Sequence, residues 1–138
     1  MNCGTVLFDK NFQFSDGATS DKLLIVVCEF GTDHLILVTT SRAHSKGRKY
    51  GCQLADKPSN FFLPKGSCWF DRDTWVELHE VIELSSTIHE HKKKDGAVVE
   101  HRNVLSADLM KSILDCALQS EFIDEFYLDS IRKIREAL

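Results

Sequence analysis

The hydrophobic and polar positions of the chain fall into two regimes that meet near residue 85. Before that border, short runs rich in β-branched and aromatic residues occupy positions 5–8, 22–30, 34–40, 60–63, 67–70 and 74–84. Such side chains fit a pleated, half-buried surface, so each run predicts a strand. Asp16-Gly17, Gly31-Thr32-Asp33, Pro58-Ser59-Asn60 and Pro64-Lys65-Gly66 stand between runs and supply turn chemistry. The runs beginning at Leu24 and Leu35 are so close in sequence that they predict an antiparallel hairpin. From Thr74 to Ile82 the alternation is imperfect, which predicts a long strand with a bulge or a change of exposure.

Beyond the border the apolar spacing lengthens toward that of helices. Ser85-Ser86 predicts the cap of a short turn fraying into His89 to Gly96, and 97–104 returns to a strand-like pattern. Ser106 predicts an N-cap, with Asp108 well placed against the partial positive charge of the first turn. Leu109, Ile113, Leu114 and Ala117 then form an inward stripe. Asp124 predicts the cap of a last helix whose stripe is Tyr127, Leu128, Ile131, Ile134 and Leu138. With no repeat, low-complexity tract or long linker, the reading is one α+β domain over 1–138. Its β-rich core, a small barrel or sandwich of short antiparallel strands, covers about 1–84 and 97–104, and its helical part 106–138.

Composition narrows the class. A chain of 138 residues can bury about two thirds of its unfolded surface in one core. The five cysteines are odd in number, scattered and without a C-x-x-C pair, which predicts neither a zinc ribbon nor a disulfide framework and points to a reducing, cytoplasmic setting. No basic leader and no apolar run of about 20 residues is visible, so no membrane span is expected. A net charge of -4 argues against a generic nucleic-acid binder. The distribution says more than the sum, because Arg42-Ala43-His44-Ser45-Lys46-Gly47-Arg48-Lys49 holds four fixed positive charges and no acid, while the last third is acidic.

That basic run follows directly on Thr39-Thr40-Ser41 at the end of an apolar strand. Hydroxyls delivered by a hairpin into a basic loop suit a phosphate-rich partner. The structural alternative is that Thr39 and Thr40 are ordinary strand residues and the loop is solvated. His79, His89, His91 and His101 make no metal set, the Gly-x-x-x-x-Gly-Lys loop is absent, and no cofactor is expected. The rings of 60–64 and 68–70 either stack on unpaired bases or build the core.

The start Gly4-Thr5-Val6-Leu7, a polar loop, a strand opening at Lys22, a strand ending Val38-Thr39-Thr40-Ser41, the segment from Asn60 to Glu83 and a C-terminal helix together resemble the PemK/MazF-like toxins of type II toxin-antitoxin systems. The likeness covers most of the chain. It implies an SH3-like small β-barrel with C-terminal helices, a homodimer, metal-independent endoribonuclease cleavage of single-stranded RNA, and inhibition by a cognate antitoxin. Lys22 stands where that family commonly has an arginine, and Thr40-Ser41 closes a segment in which Val38 replaces a proline. No arginine occurs within 74–77, where some members carry a catalytic one.

Cleavage of RNA by internal transfer requires a base for the 2'-hydroxyl, a donor for the leaving oxygen and positive charge around the phosphoryl oxygens. The candidate catalytic set is therefore Thr40 and Ser41, which position the phosphate, with Lys22, which supplies charge but lacks the bidentate fork of arginine. Arg42, His44, Lys46, Arg48 and Lys49 form the candidate RNA-binding loop, His44 having a ring that titrates near neutrality. The rival readings are a catalytically silent SH3-like module that binds protein or nucleic acid, and an interaction protein working through its acidic helices.

Overall fold

The longest apolar runs form the centre of a sheet. In the computed structural model, which describes residues 1–14, 16–43 and 45–138, β1 (Val6–Gln13), β2 (Thr19–Phe30) and β3 (Asp33–Thr40) pair antiparallel in chain order. The predicted hairpin closes through Gly31-Thr32, Gly31 taking a φ of 62° that the tight turn requires. β4 (Gly51–Gln53), β5 (Asn60–Leu63) and β6 (Thr74–Glu77) extend the sheet beside the end of β3, and β7 (Ile82–Leu84) pairs with its beginning. After α1 (Ser86–Lys94), β8 (Val98–Glu100) joins the outer edge of β1, and α2 (Ala107–Gln119) and α3 (Glu125–Ala137) complete the chain.

The sheet runs β4-β5-β6-β3-β2-β1-β8, and its end strands are not hydrogen-bonded to each other. The fold is thus α+β with an open antiparallel sheet of eight strands and three helices, where a closed barrel was expected. Both faces of β2 and β3 are buried, which explains their near-continuous apolar sequence. On one face Ile25, Val27, Leu35 and Leu37 pack with Met110, Ile113, Leu114 and Ile131 of the last two helices. On the other, Leu7, Phe12, Leu24, Val26, Ile36, Val38 and Val98 meet one another, and every one of them lies in a strand. Met1, Phe14, Ile82 and Leu84 are partly buried against this second cluster.

Several expectations change in detail. The single bulged strand over 74–84 is two strands on one edge of β3: between Ile36 and Thr39 the partner moves from Ile82 to Val76, so the chain loops out at 78–81. Ser120 holds that loop, its buried hydroxyl donating to the Leu78 carbonyl at 2.7 Å and lying 2.8 Å from that of Ser59. Residues 67–70 are turn rather than strand, since the Pro64 carbonyl accepts from both the amide and the hydroxyl of Ser67. The fraying turn after Ser85 is a full helix, capped by the Ser85 side chain and ending in basic residues that suit its C-terminal dipole. Ser106 and Asp124 cap α2 and α3 as predicted.

The expectation of no disulfide is also corrected. Cys52 on β4 and Cys116 on α2 are bonded, with Cα atoms 5.6 Å apart, leaving Cys3, Cys28 and Cys68 as free thiols. Linear spacing conceals this pair because only the packing of α2 on β4 brings it together. A second long-range tie joins α1 to β1, where the Asp9 side chain, 2% exposed, meets the Lys92 ammonium at 2.9 Å and accepts the Asn11 amide. No helix among the described residues is long and apolar enough to cross a membrane.

Candidate functional site

Antiparallel pairing decides where the predicted residues meet. The start of β2, the end of β3 and the start of β6 lie at one end of the sheet, because β3 runs opposite to both its neighbours. There a recess of about 390 Å³ is lined by Lys22, Thr40 and Ser41 together with Arg72, Asp21 and Asp71. Phe8, Leu23 and Phe70 form its apolar wall. Phe8 and Leu23 are cross-strand partners and share one face of the sheet, whereas Lys22, one position along and paired with Asp9, projects from the other, so the recess lies across the end of the strands.

Lys22 is half-buried, and among the described residues it has no ion-pair partner within 4.0 Å. Burial pushes its pKa below the ordinary lysine value, Glu77 opposes that shift, and the positive charges of Arg42 and Lys46 reinforce it. Arg42 and Lys46 therefore act on Lys22 electrostatically although neither lines the recess. The ammonium also lies 5.6 Å from the centre of the Phe14 ring.

The two threonines differ in what their hydroxyls do. Thr39 donates to the Leu23 carbonyl at 2.8 Å, which commits its hydrogen to the hairpin. Thr40 instead accepts the Arg42 amide at 3.2 Å, and among the described residues its own hydrogen has no acceptor. Ser41 is exposed beside it. The structural reading thus fits Thr39, while the geometry of Thr40 suits a phosphate oxygen.

The basic loop separates into two parts. Its distal half is pinned: the Gly47 carbonyl accepts the Trp75 indole N–H at 2.9 Å, and the Gly47 amide donates to Asp56 at 2.8 Å. Arg48 pairs with Asp73 at 3.1 Å and lies 5.5 Å from the Trp75 ring centre, the Lys49 carbonyl accepts from Gln53, and neither residue lines the recess. His44 lies outside the described residues. Cys52, a few residues beyond the basic loop, carries no free thiol because it is bonded to Cys116.

Arg72 and the two aspartates were missed in the sequence. Arg72 precedes the strand at 74–77 by only two positions, within Asp71-Arg72-Asp73. A charged triplet at a strand entrance was the available signal. In combination the recess offers two cations and two carboxylates, which cancel in formal charge, beside the Thr40 and Ser41 hydroxyls; the cations can contact phosphoryl oxygens and the carboxylates can exchange protons.

Among the described residues no histidine lines this recess. His89 is buried and His91 exposed on the same helix, as their two-residue spacing requires. Among the described residues no group of three or more His, Cys, Asp or Glu side chains is arranged to hold a metal. No family model, curated protein or solved structure matches this chain.

Proposed function

We propose that the protein is a metal-independent endoribonuclease of the PemK/MazF type, cleaving single-stranded RNA at the recess between β2, β3 and β6. The observation that supports this most is the meeting of Lys22, Thr40, Ser41 and Arg72 in one cavity from three separate strand ends. In this reading a carboxylate of the recess, Asp21 or Asp71, takes the proton of a ribose 2'-hydroxyl. The 2'-oxygen then bonds to the adjacent phosphorus, the bond to the 5'-oxygen breaks, and that oxygen leaves with a proton from Lys22 or solvent. The products are a 2',3'-cyclic phosphate and a 5'-hydroxyl. Arg72 and the Thr40 hydroxyl hold the phosphoryl oxygens as charge builds, the largest kind of contribution such a site makes. Arg72 also supplies the planar fork that Lys22 lacks.

On the same proposal the sheet is the SH3-like barrel of those toxins, the working unit is a homodimer, and a cognate antitoxin covers the basic loop. Purified protein incubated with long single-stranded RNA in chelator is expected to yield fragments ending in cyclic phosphate, and Lys22→Met and Arg72→Met to abolish them. RNA left intact at high protein concentration would refute the reading. Retained RNA binding without turnover would establish the rival, a silent binding module.

A further inference from the structure

We propose that the apolar cavity adjoining the recess is a nucleobase subsite whose flat wall is the stacked pair Trp69 and His101; this rests on the ribonuclease reading above. The cavity measures about 480 Å³ and shares Phe8, Leu23, Phe70 and Asp71 with the recess that would handle phosphate, so the two cavities adjoin. One end is charged and the other aromatic. Trp69 and His101 lie ring on ring, with centroids 4.0 Å apart and planes 13° from parallel. Val99, half exposed on the edge strand β8, closes the far side.

The chemistry of this end fits a base rather than an aliphatic chain. Aromatic faces accept any base by stacking, which is how unpaired nucleotides are held without duplex structure. Two polar groups stand at the rim. The His101 Nδ1 accepts the Asn103 amide at 3.0 Å, which leaves the proton of the neutral ring on Nε2, a donor for a ring nitrogen or carbonyl of the base. Asp71, common to both cavities, accepts from an exocyclic amine. A nucleotide whose phosphate sits by Lys22 and Arg72 therefore places its own or its neighbour's base against Trp69. The other candidate stacking rings are excluded by burial, Phe61 and Phe62 being sealed in the sheet.

The test uses 2'-O-methyl single-stranded oligonucleotides in chelator, which bind but have no free 2'-hydroxyl to react, with one abasic position moved along the strand. Anisotropy titration of the wild type is expected to find one position at which losing the base weakens binding about tenfold. Trp69→Ala is expected to show that same loss with the intact strand and no further loss with the abasic one, and Trp69→Phe to restore most of it. Because Trp69 also touches the core, a measurement on the unaltered protein accompanies these. Oligonucleotides carrying 5-iodouridine at the sensitive position are photo-crosslinked, and the attachment is expected at Trp69 or His101. If RNA is cleaved but crosslinks fall elsewhere and the abasic loss persists undiminished in Trp69→Ala, the subsite is overturned and the nuclease stands. If the wild type neither cleaves nor binds RNA, the parent reading falls and the subsite with it.

Discussion

Breaking the Cys52–Cys116 bond tests what holds the scaffold of the site. The bond spans 64 residues of sequence, and in the chain-entropy account a loop of that length removes about 4 kcal/mol of freedom from the unfolded state. For 138 residues the entropy of unfolding is about 0.3 kcal/mol per degree, so the bond's loss is expected to lower Tm by about 15 °C. Cys52→Ser is the cleaner perturbation, because Cys52 is exposed whereas Cys116 is sealed in the core, where a hydroxyl would add its own desolvation cost. The assay is calorimetric melting of the oxidised wild type, the dithiothreitol-reduced wild type and the variant, with a thiol count in denaturant that finds three thiols before reduction. The effect reaches the site as well. β4 begins directly after the basic loop, so freeing its attachment to α2 is expected to weaken RNA binding in parallel with the fall in Tm. Reduced and oxidised proteins melting within about 3 °C of each other, or five reactive thiols in the oxidised sample, would refute the reasoning.

Other consequences follow from buried charge. Lys22→Met is expected to cut RNA cleavage by about 100-fold or more while Tm stays level or rises, since it removes an ammonium that burial and two neighbouring cations already disfavour; a large drop in Tm would assign Lys22 a structural role instead. Lys92→Met leaves the Asp9 carboxylate buried and unpaired, and urea unfolding is expected to show a loss of about 3 kcal/mol, largely recovered in the double variant Asp9→Asn, Lys92→Met. His34 and His89 both have pKa values lowered, first by burial, so the unfolded chain binds protons that the folded protein refuses. Stability is therefore expected to fall as pH drops below about 6.5 and to go on falling until the folded-state values are reached, and His34→Phe with His89→Phe should flatten the dependence measured by urea midpoints between pH 7.5 and 5.

Local chemistry was legible wherever one stretch of chain carried the whole message. The hairpin of β2 and β3 follows from two apolar runs and a glycine turn, and its register alone brings the neighbourhood of Lys22 opposite that of Thr40. Ser106 and Asp124 announce their helices because a capping side chain needs only the next few amides. The basic loop was visible as charge, yet its division was not, since the partners of Gly47 and Arg48 are Trp75, Asp56 and Asp73, residues from other turns. Strand β4 escaped notice because three residues carry no periodicity.

What the amino-acid sequence determined by itself, then, was the set of elements and the presence of hydroxyls beside positive charge, because propensity, capping and alternation act over a few residues. Tertiary structure decided which of those charges share a cavity. Arg72 shares a cavity with Lys22 only because β6 pairs with β3, Trp69 meets His101 only because β8 returns to β1, and Cys52 finds Cys116 only because α2 settles on β4. Each of these meetings depends on how the whole apolar surface is packed away from water, and such packing leaves no mark on the spacing of the residues it brings together.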